Sequence, residues 1–251
     1  MTLINKTIYP RFNESISKEE LQKIYLSSTD EINLARSKVR GKEHMYLFLI
    51  NLKVFQNLHY FVDEPDVPPK ITRLMKSKLK IAKDSKINLS EKTIGKYRKD
   101  IKQSLNVISD SNYIKKLVLD TVEKYEPLME NKAHIFNAVL ECLIKNNCEL
   151  PAFSTIDRWI KSKQSQINNV IFDYVYNSLT TTEKQLLDSL LATSNKSFSK
   201  FNYIKELPKS PSLSHLKAVR DNYIYLKNIN IGERFITSIA PSKVDYFALI
   251  K

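Results

Sequence analysis

Glycine is nearly missing: the 251 residues include only Gly41, Gly95 and Gly232. A phosphate-cradling P-loop or a dinucleotide-binding turn needs several glycines at close spacing, so both are excluded. Tight hairpins also consume glycine, which argues against a β-rich fold. Cysteine is as scarce. Cys142 and Cys148 are the only pair, and their C-x5-C spacing fits neither a zinc knuckle nor a redox CxxC motif. Two reduced thiols of a cytosolic protein are expected rather than a disulfide. No long apolar run is present either. The N-terminal stretch MTLINKTIYPRFNES lacks the apolar core of a signal peptide. The most apolar segment, Met45 to Val62, is interrupted by Asn51, Lys53, Gln56, Asn57 and His59, so it is expected to be a buried helix and not a membrane span.

What the chain does have is positive charge, +13 overall. The excess is concentrated. Residues 1–69 balance, with nine basic and nine acidic groups, whereas residues 70–116 carry 14 basic and four acidic groups. Residues 117–150 are net acidic, and 151–251 are basic again. A local excess of this size points to a polyanionic partner, nucleic acid or an anionic surface, and says nothing about fold.

Helix starts are well marked. Ser17–Glu20, Ser28–Glu31 and Thr180–Glu183 have the spacing of capping boxes. Leu47, Phe48, Leu52, Phe55, Leu58 and Phe61 form a wide helical apolar face. A proline-rich turn, Asp63 to Pro69, follows, and Pro68 or Pro69 suits the first turn of a further helix. Ser90 is placed to cap a helix whose stripe of Ile94, Tyr97, Ile101 and Leu105 opposes a basic face. Two helical runs fill 112–147, separated near Pro127. Further helices are expected from Thr155 and at about 168–179, 182–193, 199–206 and 212–227, then an irregular tail after Gly232. The reading is all-α: two tandem helical modules, 1–110 and 111–251, with helix-turn-helix-like units.

Two segments echo each other: TIGKY at 93–97 and TIDRW at 155–159. Each follows a turn and carries more basic residues beyond it. A recognition helix has this layout, with small polar residues and backbone amides at its N-terminus meeting phosphates and basic side chains one turn later. Tyr97 and Trp159 are expected to be core or hinge anchors and not base-stacking platforms. The four histidines show no metal-binding spacing, and no nucleophile elbow or cysteine–histidine pair is present. Asp63, Glu64 and Asp66 lack calcium-loop spacing and are expected to form a solvated turn. No set of residues assembles into an active site, so no enzyme activity of its own, no cofactor and no metal are expected.

The run MYLFLINLKVFQNLHYFVDEPDVPPKI, followed by YRKDIKQSL, resembles the N-terminal region of the large cointegrate-forming TnpA transposases of the Tn-three transposon family. LPAFSTIDRWI, TTTEKQLLDSLL, LPKSPSLSHLKAVRDNYIYLKNI and IAPSKVDYFA continue the likeness in order, over roughly residues 10–250. Lys and Asn dominate around the long apolar helix where that family often has Gly and Arg. The resemblance implies a helical region that binds the terminal inverted repeats of a transposon. It also implies that catalysis, with its Mg²⁺ ions, belongs to an RNase-H-like domain beyond Lys251, so that this part binds double-stranded DNA without cutting it. A bacterial cytoplasmic, nucleoid-associated location without membrane contact follows, and homo-oligomerisation stays open.

On that basis Lys92, Thr93, Lys96, Arg98, Lys99 and Lys102 are candidates for one DNA-facing helix. Ser154, Thr155, Arg158, Lys161 and Lys163 are candidates for a second. Lys70, Arg73, Lys76, Lys78 and Lys80 would contact phosphates and fix the register. The alternative is a helical protein-interaction or dimerisation module with only nonspecific DNA affinity, its Met45–Val62 helix partly exposed as the interface.

Overall fold

The computed structural model describes residues 3–13, 15–82, 87, 89–126, 129, 131–192, 199–205 and 212–229. The break expected at Pro127, the tail after Gly232 and the resembling segments 207–211 and 239–248 lie outside them. Among the described residues no strand forms, and the fold is all-α. The chain divides into two compact units, Met1–Val122 with Lys132–Lys161, and Glu123–Asn131 with Ser162–Lys251. The boundary expected after residue 110 therefore falls inside the first unit. Backbone bonds hold it there: Ile108 donates to the carbonyl of Asn147 at 3.0 Å and accepts from Glu149 at 2.9 Å.

The first unit is built around α3 (Lys42–Leu58). Its residues Tyr46 to Leu52, with Val54, Phe55 and Leu58, are all buried, because α1 (Lys18–Tyr25), α2 (Thr29–Lys38), α4 (Pro69–Lys78) and α5 (Glu91–Ser104) pack around it. The capping boxes expected at Ser17–Glu20 and Ser28–Glu31 both form. Each satisfies two orphan donors of a short helix that could not stand alone. Leu21 and Tyr25 of α1, Ala35 of α2, Ile71 and Met75 of α4, and Tyr97 and Ile101 of α5 complete this core. The burial of α3 removes it as the exposed interface of the interaction-module alternative, since its wide apolar face is already covered within the chain.

The rest of the unit comprises α6 (Ser111–Tyr125) as far as Val122, α7 (Lys132–Lys145) and α8 (Phe153–Asn177) as far as Lys161. Phe136 of α7 stacks on Phe153 at 4.5 Å, and Tyr9 meets Phe153 edge-on at 5.6 Å. The Tyr9 hydroxyl donates to the Pro151 carbonyl, and burial pushes its pKa up to about 12. Cys142 and Cys148 are free thiols, and burial raises the pKa of Cys148. α8 runs unbroken where two helices were expected. Residues 164–169 are polar except for Ile167 but include no Gly or Pro, so nothing interrupts the backbone ladder.

Glycine scarcity shows in the helix ends. His59, Lys80, Asn106 and Asn147 take the left-handed backbone conformation that glycine usually fills at a helix C-terminus. After α4, α5 and α7 the chain closes by a bond back across six residues: Ile81 to Lys76, Val107 to Lys102 and Cys148 to Leu143. In the second unit, α9 (Thr181–Leu191) opens with its capping box at Thr180, α10 (Lys200–Lys205) packs on α9, and α11 (Leu213–Ile229) follows.

The acidic turn 63–66 is not merely solvated. Glu64 accepts from the Tyr46 hydroxyl at 2.7 Å, and burial, reinforced by this bond and the carboxylate charge, raises the pKa of Tyr46 well above the tyrosine range. Tyr46→Phe should cost about 1.5–3 kcal/mol in a denaturant titration, the value of a hydrogen bond to a charged group.

Candidate nucleic-acid interface

The basic helix α5 is fixed on one side only. Tyr97 inserts into the core, meeting Phe48 edge-on at 5.9 Å and hydrogen-bonding the Nδ1 side of His44. Ile101 beneath it is fully buried. At the start, Ser90 caps α5 by accepting from the Thr93 amide, and its hydroxyl meets that of Thr93 at 2.9 Å. The opposite face follows from helical geometry: Lys92, Gly95, Lys96, Lys99 and Gln103 are exposed and recur at steps of three and four, one stripe of a single helix.

The candidate cations of this helix separate into two groups. Lys92, Lys96 and Lys99 are exposed, and among the described residues none has an ion-pair partner. Arg98 and Lys102 instead join the helix to its neighbours. Arg98 pairs with Asp63 at 2.7 Å, reaches the Val62 carbonyl at 3.4 Å and lies over the Phe61 ring. Lys102 pairs with Glu149 at 3.1 Å. Their charges are largely spent within the chain, and they hold α5 in register against the acidic turn and the segment after α7.

On α4, Arg73 and Lys78 are exposed, and Lys80 is exposed just past the helix end. Lys70 is also exposed. Lys76 is drawn inward: its side chain is 12% accessible, 4.0 Å from Glu64 and over the Tyr46 ring. The acidic turn thus engages one cation from α4 and one from α5.

The second candidate helix is the first half of α8. Ser154 and Arg158 are exposed and Thr155 is half-buried, while Ile156 and Ile160 are buried. Lys161 pairs with Asp157 at 2.6 Å on the same helix, and Lys163 pairs with Glu123 at 2.7 Å. Ser154, Thr155, Arg158 and Lys161 belong to the same compact unit as α5, and Lys163 to the other. Trp159 is half-buried.

Beside the exposed stripe of α5 lies an open groove of about 710 Å³ lined by Gly95, Arg98, Lys99, Lys102, Gln103, Asn106, Val107 and Ser109. The candidates chosen by charge omit Gly95, Gln103, Asn106 and Ser109, which are neutral. The signal that could have found them is a glycine in the middle of a helix. Among the described residues no group of three or more His, Cys, Asp or Glu side chains could hold a metal ion, and no helix is long and apolar enough to cross a membrane.

Comparison with known proteins adds two findings. The family described as "Domain of unknown function (DUF4158)" matches residues 1–163, more than half of the chain, so the chain belongs to that family. A stretch of 101 residues is 24% identical to the "Transposase for transposon Tn1546" of Enterococcus faecium. That stretch covers 39% of this chain and 10% of the relative, so the chain matches about a tenth of that protein's length.

Proposed function

We propose that this DUF4158 chain is a DNA-binding part of a transposase, reading the terminal inverted repeats of a transposon and presenting them to a catalytic domain elsewhere. The observation that carries this is the exposed lysine stripe of α5 in a chain with a transposase-like stretch. Lys92, Lys96 and Lys99 span two helical turns on a helix whose other side is locked into the core. Such a face offers positive charge at low reorganisation cost to a duplex backbone. Arg73, Lys78 and Lys80 extend the basic surface from the end of α4, and Arg158 with the first turn of α8 adds a second contact from the same unit. In a helix-turn-helix arrangement α5 would enter the major groove, its neighbours bracing it through α3. Binding needs no cofactor; Mg²⁺ belongs to strand cleavage, which nothing in this chain performs in this scheme.

Fluorescence anisotropy of the full chain on a short duplex tests the binding. If six to ten phosphates are neutralised, affinity falls ~10³–10⁵-fold between 50 and 200 mM salt. Absence of binding at the lower salt would overturn the proposal.

A second function, docking on another protein, is favoured by α11. Leu216, Val219, Tyr223 and Leu226 are exposed and recur at steps of three and four, the narrow seam of a helix that pairs with another helix. A concentration-dependent dimer in sedimentation, without duplex binding, would put this function in place of the first.

A further inference from the structure

We infer that Gly95 and the groove beside it seat one strand of a duplex's phosphate backbone, with the α5 main chain approaching the phosphates where a side chain would hold them off. This rests on the DNA-binding function proposed above and goes further by assigning the point of closest approach.

Four left-handed positions that would favour glycine are occupied by His59, Lys80, Asn106 and Asn147. Gly95 stands instead inside α5, where φ is not positive and where alanine or lysine would be the better helix former. Nothing among the described residues demands it. A Cβ built on Gly95 meets no atom within 4 Å, so no neighbouring helix approaches closely there. A helical glycine with open space before it, flanked by Lys96 and one turn from Lys92 and Lys99, leaves an external partner as the reason for its smallness.

The groove suits a phosphate strand in chemistry and in rigidity. Lys99 is its cation without an ion-pair partner among the described residues, and Gln103, Asn106 and Ser109 supply neutral polar groups. Its far side is held in place. Val107 donates back to the Lys102 carbonyl at 2.8 Å, the Asn147 side chain donates to the carbonyls of Leu105 and Asn106, and Ile108 is bonded on both sides to the segment after α7. Arg98 and Lys102, tied to Asp63 and Glu149, fix the near wall. A preformed trough open to solvent, with basic and neutral polar groups along it, matches an extended polyanion better than a compact apolar ligand.

The test compares wild type, Gly95→Ala and Gly95→Gln by thermal unfolding and by anisotropy on a short duplex of arbitrary sequence. Neither substitution alters charge. Alanine should raise Tm by about 2–4 °C, the effect of removing an exposed helical glycine from a chain of this size. It should nevertheless weaken duplex binding about tenfold, because the added methyl holds a phosphate out of reach of the Lys96 or Lys99 ammonium and so forfeits one charge-assisted hydrogen bond, and glutamine should weaken it further. Wild-type binding that both variants retain would overturn the groove while leaving the DNA function standing. A lower Tm for Gly95→Ala would also overturn it, by revealing an internal need for glycine. Failure of the wild type to bind would remove the DNA function itself, and this inference with it.

Discussion

Lys96→Glu combined with Lys99→Glu should abolish duplex binding, while the far-ultraviolet circular dichroism and the unfolding midpoint should stay within error of wild type. Both lysines are exposed and have no ion-pair partner among the described residues, so reversing them breaks no contact that the fold relies on. Each Lys that neutralises a phosphate contributes about one unit to the salt dependence of binding, and a glutamate at the same place adds repulsion. A loss on the order of 100-fold or more at 100 mM salt is expected, with any residual binding showing a salt slope shallower by about two. Unchanged affinity in the double variant would show that α5 does not face the DNA.

Lys53→Met should destabilise the first unit by about 3–5 kcal/mol at neutral pH, the cost of leaving a largely buried charge unpaired. The Lys53 ammonium meets Glu31 at 2.9 Å, with side chains only 11% and 16% accessible. Glu31 also closes the α2 capping box by accepting from the Ser28 amide at 2.7 Å, so one carboxylate both caps α2 and joins it to α3. Burial pushes the Glu31 pKa up, but the hydrogen bonds from Lys53 and Ser28 outweigh it and hold the folded value below the ordinary 4.5. With the folded pKa below the unfolded one, this group stabilises the fold fully above the unfolded value. The contribution is lost as pH falls through the folded value. The gap between wild type and Lys53→Met should therefore be widest near neutrality and narrow as the pH drops below about 4.5 in denaturant titrations. Glu31→Gln with Lys53→Met should cost far less than the two single changes summed; simple additivity would show that the pair is not coupled.

The helical fold was legible in the sequence because its signals are local. Capping boxes at Ser17, Ser28 and Thr180 form as the spacing predicts, and the stripe with Tyr97 and Ile101 faces inward. The scarcity of glycine excluded phosphate loops, yet it did not weaken the helix ends, because Asn and Lys take the left-handed positions. What local pattern could not show is which cations the fold itself uses. Arg98, Lys102 and Lys76 look like Lys96 and Lys99 in a helical projection. Only folding brings Asp63, Glu64 and Glu149 against them, over sequence separations of 12 to 47 residues. The division into units was hidden for the same reason: charge changes near residue 110, but the bonds joining Ile108 to residues 147–149 are long-range. α8 was split in expectation because a polar stretch resembles a linker when its helical neighbours are not in view.

The decisive measurement is a pair of anisotropy titrations at 200 mM salt, where nonspecific attraction is weakest. One duplex carries the terminal inverted repeat that the proposed function assigns to the chain, and the other a scrambled sequence of equal composition. Transposon-end recognition through α5 predicts a clear preference for the repeat, lost in the Lys96→Glu, Lys99→Glu variant. Equal affinity for the two duplexes in the wild type would contradict it.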